Sequence, residues 1–134
     1  VSLEPVLRLR SQVSLAKRVR AGDRISYGLT WEAPRDTTIA TVPIGYADGV
    51  RRRSSAVGGQ VLIGGKRYPM VGTVTMDQLM VDVGDDPVAA GDEVVLIGHQ
   101  GADEITAQEI ADRLGTIAYE VVCDIESRVS RRYL

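Results

Sequence analysis

The chain has no phenylalanine, one tryptophan, one cysteine and one histidine in 134 residues. A single cysteine, Cys123, excludes an intrachain disulfide and a thiolate zinc site. It lies in the apolar run Val121-Val122-Cys123 and reads as a small buried hydrophobe. The single histidine, His99, sits in Gly-His-Gln-Gly with no serine or cysteine motif beside it, and reads as a solvated turn residue. No histidine–carboxylate grouping has metal-ligand spacing. No apolar run approaches the roughly 18 residues of a membrane span. The opening Val1–Arg10 is charged and alternating, unlike a secretory signal. There is no Walker phosphate loop and no GxSxG elbow. A (β/α)8 barrel, at about 250 residues, does not fit in this length. Nor is there an excess of one charge: 16 basic residues against 18 acidic give a formal −2, which excludes a generally basic nucleic-acid binder.

What is present is the composition of one soluble domain, 44% hydrophobic and 25% charged. Such a chain buries a core without staples. Arginine supplies 14 of the 16 positive charges. Arg51, Arg52 and Arg53 form a run, and Arg128, Arg131 and Arg132 cluster near the end. Two readings stand: solvated faces, or a local anion site, since the planar guanidinium fork matches carboxylate and phosphate.

Most of the chain patterns as strand. Segments 6–10, 24–31, 37–44, 60–63, 66–68, 71–74, 78–83 and 92–97 are short, β-branched or alternating, and separated by turn residues at the spacing of a small barrel or sandwich. Gly64-Gly65 between two such runs is a hairpin signal. One helix is predicted from a capping box at Thr106-Ala107-Gln108-Glu109, with Ile105, Ile110 and Leu114 as its apolar stripe and Gly115 as its stop. A second helical turn follows at 116–122. The expected fold is mainly β, a small closed Greek-key-like barrel with one or two short helices. All 134 residues are expected to form one domain.

Three segments differ from barrel filler: Ser26-Tyr27-Gly28-Leu29-Thr30-Trp31, Pro43-Ile44-Gly45-Tyr46-Ala47-Asp48-Gly49, and Val71-Gly72-Thr73-Val74-Thr75-Met76-Asp77-Gln78. Each sets a glycine beside a tyrosine, methionine or aspartate where a strand meets a turn. Glycine there lets a backbone or ligand approach closely. The alternative is that the tyrosines are half-buried packing with their hydroxyls in water.

Taken in order, and with Tyr119-Glu120-Val121, these segments resemble the C-terminal β-domain of alanine racemase over nearly the whole chain. The resemblance implies a pyridoxal 5′-phosphate enzyme that interconverts L- and D-alanine for peptidoglycan synthesis in the cytoplasm. It implies a homodimer in which this domain completes the partner subunit's active site. The cofactor is then held mainly by an N-terminal (β/α)8 barrel that this chain does not contain. By the same resemblance Tyr27 is the catalytic base, and the backbone amide of Met76 binds the substrate carboxylate. Tyr46, Arg52 and Asp77 line the corridor to the substrate, and Tyr119 contacts the cofactor phosphate. No nucleic-acid or membrane partner is implied.

The chain departs from the family at Thr73 and Thr75, where many members carry arginine and cysteine. The family's cofactor-lysine motif is absent, and neither Lys17 nor Lys66 has a matching context. The domain alone is therefore expected to be inactive. The other readings are a non-catalytic β-barrel interaction module and the matching domain of a broad-spectrum amino-acid racemase. A basic amino-acid decarboxylase would offer a cysteine-centred site, a setting Cys123 lacks.

Overall fold

A computed structural model describes residues 1–134. The strands are β1 (Leu9–Gln12), β2 (Leu15–Val19), β3 (Arg24–Ile25), β4 (Trp31–Glu32), β5 (Thr37–Val42), β6 (Gln60–Ile63), β7 (Lys66–Val71), β8 (Leu79–Gly84), β9 (Glu93–Gln100) and β10 (Asp103–Ile105). A 3₁₀ turn (Tyr27–Leu29) separates β3 from β4, and two helices, α1 (Ala107–Leu114) and α2 (Ala118–Cys123), close the chain.

The main sheet runs β1-β9-β6-β7-β8-β5-β2, with β10 added to β9 and every pairing antiparallel. Its two ends, β1 and β2, are halves of one bent segment joined at Val13-Ser14. The amide of Val13 donates to Asp92 on one side at 2.9 Å, and that of Ser14 to Thr41 on the other at 2.9 Å. The sheet thus curls until a covalent bend unites its edges, which leaves little strand edge exposed.

Alternation explains the core. On β5, Ala40 and Val42 face inward with Val61, Val81 and Val94, while Ile39 faces outward. The outward face is buried as well. Val19, Ile39, Val71 and Ala33 form a second cluster, covered by Ile25 and Trp31 from the β3–β4 ribbon. Burial on both faces suits the β-branched and small residues of β5, Thr37-Thr38-Ile39-Ala40-Thr41-Val42. The ribbon is therefore anchored by hydrophobic burial, and the residues of its connecting turn, 27–30, are exposed.

α1 begins and ends as its sequence predicts. The Thr106 hydroxyl accepts from the Glu109 amide at 3.0 Å, and Gly115 takes φ +73° at the C-terminus. Ile105, with no exposed surface, packs with Leu62 and Val95 beneath it. Truncation of such a residue to alanine costs about 2–5 kcal/mol. Gly64 and Gly65 take φ +60° and +77°, the primed turn expected of paired glycines.

Several expectations are corrected. Segment 24–31 is a ribbon interrupted by a turn, because Ser26 and Leu29 adopt positive φ and break the strand. Segment 71–74 ends as a strand at Val71, where Gly72 turns with φ +70°. Segment 6–10 enters the sheet only at Leu9. The Glu109 carboxylate does not close a capping box; Arg67 and Arg113 take it instead. His99 lies within β9, with Nε2 3.4 Å from Glu104. Cys123 is exposed, because α2 buries Val121 toward the core and turns its other face outward. The three-residue β10 had not been anticipated.

Candidate active-site face

The three unusual segments meet on one rim of the barrel. Ser26 Oγ donates to the Thr73 carbonyl at 2.5 Å, and Thr73 Oγ1 donates to the Tyr27 carbonyl at 3.1 Å. The turn bearing Tyr27 is thereby fastened to the loop after β7. That loop is fastened in turn to the segment after β5. The amides of Tyr46 and Ala47 donate to the carbonyls of Thr75 and Met76, each at 3.0 Å. Gly45 permits the approach, since a Cβ there would stand 2.2 Å from the Thr75 oxygen. Tyr27, Tyr46 and Met76 are left 64%, 42% and 51% exposed, so none is core packing.

The backbone around Tyr27 is strained. Ser26 has φ +65° and ψ −178°, a region used almost only by glycine, and Leu29 has φ +48°. They are the chain's two non-glycine residues with positive φ, and they bracket Tyr27. Such conformations cost about 1–3 kcal/mol each and persist only where surrounding contacts impose them.

A buried aspartate organises the other end of the rim. Asp48, 8% exposed, accepts from the Gly45 amide at 2.9 Å and from Arg128 Nε at 2.5 Å. Arg128 Nη2 continues to Asp77 at 2.5 Å. These two carboxylates hold the Arg128 guanidinium more firmly protonated than usual, chiefly through the hydrogen bond to Asp48. Nothing local in the sequence marked Arg128 for this role. Asp48 stood within one of the three unusual segments, with no partner indicated.

Between these anchors the loop offers free donors. The amides of Thr75 and Gln78 are paired within the chain, to the Gln78 carbonyl at 2.9 Å and to Thr75 Oγ1 at 3.1 Å. The amides of Met76 and Asp77 have no partner in the chain and sit on the exposed crest. Two adjacent free N–H groups can receive an anionic group.

The remaining predicted residues stand apart from this crest. Arg52 is exposed and makes no ion pair, in contrast to Arg51, whose Nε donates to Asp124 at 2.6 Å and whose Nη2 donates to Glu120. Glu120 is held below the usual carboxylate range, first by that Arg51 contact. Arg51 thus ties α2 to the segment after Tyr46. Tyr119, beside Glu120 on α2, is 80% exposed and its hydroxyl has no partner within the chain. The arginine run therefore divides into a structural Arg51 and the unpaired Arg52 and Arg53. Arg131 donates to the carbonyls of Ile125, Glu126 and Val129, a structural role as well.

No helix is long and apolar enough to cross a membrane. A family model described as "Alanine racemase, C-terminal domain" matches residues 6–133. The alanine racemase of Symbiobacterium thermophilum is 56% identical over 134 residues, which is 99% of this chain and 35% of that protein. The alanine racemase of Cutibacterium acnes is 51% identical over 98% of this chain and 35% of its own length. Among solved structures, alanine racemase from Bacillus anthracis, determined with bound L-Ala-P, superposes with a TM-score of 0.92 at 47% identity. That match covers 96% of this chain and 33% of the other. The chain spans about a third of the length of the relatives it matches.

Proposed function

The chain belongs to the alanine racemase C-terminal domain family, and from that membership we propose that it is the β-domain of a longer, cytoplasmic, homodimeric alanine racemase that makes D-alanine for peptidoglycan. In this reading the domain serves two active sites. Tyr27, Tyr46 and Met76 reach into the partner subunit's site, and Tyr119 reaches the site of its own subunit.

The observation that carries the reading is the presentation of Tyr27. Its ring is largely exposed, on a strained turn fastened at the Ser26 hydroxyl and the Tyr27 carbonyl. A tyrosine serving the core would need neither the strain nor the fastening. Racemisation requires a proton to leave one face of Cα and return on the other. Tyr27 takes and returns it on the L-alanine face, while a lysine of the missing barrel serves the D-alanine face.

Bound pyridoxal 5′-phosphate supplies the electron sink that makes the Cα proton removable. This chain's residues fit a minor share in holding it. Lys66 is committed to Asp86 at 2.7 Å and Lys17 lies on β2, so neither is placed to carry the cofactor. The unpartnered Tyr119 hydroxyl suits a phosphate oxygen. The free Met76 amide suits the substrate carboxylate, and Asp77 and Arg52 flank the corridor that Tyr46 narrows. With no cofactor lysine, the isolated domain has no substantial racemase activity.

The test is Tyr27→Phe in the full-length enzyme, with racemisation followed in both directions. Loss of a positioned acid–base group lowers the rate by about 10²–10⁴-fold. Near-normal racemisation in both directions would overturn the assignment.

A further inference from the structure

Ser26 occupies a backbone region that disfavours any side chain, yet its side chain is where the turn is held. Glycine would relieve φ +65° at no steric cost. A serine at this position is therefore explained by its hydroxyl, which donates to the Thr73 carbonyl at 2.5 Å. Thr73 returns the contact through Oγ1 to the Tyr27 carbonyl at 3.1 Å. The two bonds run in opposite directions and hold two adjacent residues, Ser26 by its side chain and Tyr27 by its carbonyl. They join segments 47 and 46 residues apart in sequence. The backing is tight as well: a Cβ at Gly72, with φ +70°, would stand 2.9 Å from the Ser26 Cβ.

From this geometry we infer that Ser26 and Thr73 are positioning residues, a reciprocal hydroxyl clamp that fixes the direction of the Tyr27 phenol. The inference rests on the proposed role of Tyr27 and deepens it. Thr73 is one of the two places where this chain departs from the family's common arginine and cysteine. Its short hydroxyl is what allows the return bond to the Tyr27 carbonyl. Clamp and strain act together. The strain would let the turn relax if either bond were removed, and relaxation would swing the ring away from Cα. A displacement near 1 Å is enough to slow a proton transfer strongly.

The experiment uses the full-length enzyme with Ser26→Gly, Thr73→Val, Thr73→Ser and Tyr27→Phe. Ser26→Gly removes the hydroxyl and the strain together, so its melting temperature should hold or rise while kcat falls about tenfold. Thr73→Val keeps the shape, loses the return bond and should fall similarly, with KM for alanine little changed. Thr73→Ser should restore the rate. The primary isotope effect on α-deuterated L-alanine should rise in Ser26→Gly and Thr73→Val, while that on α-deuterated D-alanine stays the same or falls, since only the Tyr27 step is slowed and the lysine step becomes less rate-limiting. A fall in kcat that tracks lost melting temperature, with both isotope effects unchanged, would reduce the pair to structural residues and overturn the clamp. So would full activity in Ser26→Gly and Thr73→Val while Tyr27→Phe is impaired. Full activity in Tyr27→Phe would instead remove the reading of Tyr27 on which the clamp depends.

Discussion

Arg128 Nε lies 2.5 Å from Asp48 Oδ1, and the two residues are 80 positions apart in sequence. The contact joins the chain's C-terminal segment to the loop that carries Tyr46. Asp48 in turn holds the Gly45 amide, and Arg128 also holds Asp77 beside Met76. One guanidinium therefore spans both sides of the crest where the free amides lie.

Arg128→Met should leave Asp48 buried with a single donor, and a buried carboxylate without its cation is unfavourable. We expect a lower melting temperature and, in the full-length enzyme, a raised KM for alanine with a smaller change in kcat. Calorimetry and steady-state kinetics on one preparation test both.

Much of the barrel was legible from local pattern. Paired glycines marked the β6–β7 hairpin, and Thr106 and Gly115 marked both ends of α1. The Tyr27 ribbon was not, because alternation continues through Ser26 and Tyr27 while the chain turns. Positive φ at a serine has no signature in composition; only Gly28 hinted at it. Glu109 was misassigned because its partner Arg67 is 42 residues away. Tyr27, Tyr46 and Met76 stood out locally, beside glycines where strands meet turns, but their roles came only through a family resemblance. The Arg128 tie and the Ser26–Thr73 pair arise only from tertiary structure and leave no local signal in the sequence.

Arg67 is the hub beneath α1. Its Nε meets Asp103 at 2.9 Å, its Nη atoms meet Glu109 at 2.7 and 2.8 Å, and Nη2 also donates to the Glu104 carbonyl at 2.6 Å. Both members of the Arg67–Glu109 pair are about a quarter exposed, so solvent screens them only in part. Arg67→Met should cost about 2 kcal/mol, in the range for hydrogen bonds to charged groups, as read from denaturant midpoints.

The same pair predicts an acid limb. Arg67 holds the Glu109 carboxyl below its ordinary value of 4.5. Folding is thus favoured while Glu109 is ionised in both states. That contribution is complete above pH 4.5 and is lost as pH falls through the lower folded value. Glu109→Gln should flatten stability against pH in this window.

Tyr68 predicts an alkaline limb. Burial first, and then its 2.6 Å bond to Asp86, push its pKa up to about 12 from an ordinary 10.0. The folded state retains the proton more tightly, so this contribution is present below pH 10 and disappears as pH rises toward 12. Tyr68→Phe should remove the highest-pH component of the phenolate absorbance titration; its persistence would contradict the assignment.

Gly45 is needed for space and not for φ. A Cβ there would stand 2.2 Å from the Thr75 oxygen and 2.5 Å from the Met76 oxygen, both on backbone. Gly45→Ala should force the Tyr46 and Met76 segments apart and lower melting temperature and alanine turnover together. The opposite substitution at an open turn, Gly58→Ala, meets no atom within 4 Å, but its φ of +83° predicts a modest loss of stability.

The role proposed for Tyr27 is to serve one face of the substrate. Its most direct test is solvent-deuterium exchange at Cα, measured separately from L- and D-alanine with full-length Tyr27→Phe enzyme. Exchange into L-alanine should fall by about 10²–10⁴-fold, while D-alanine should still exchange its proton through the lysine on the other face. Equal exchange from both enantiomers at the unaltered enzyme's rate would contradict it.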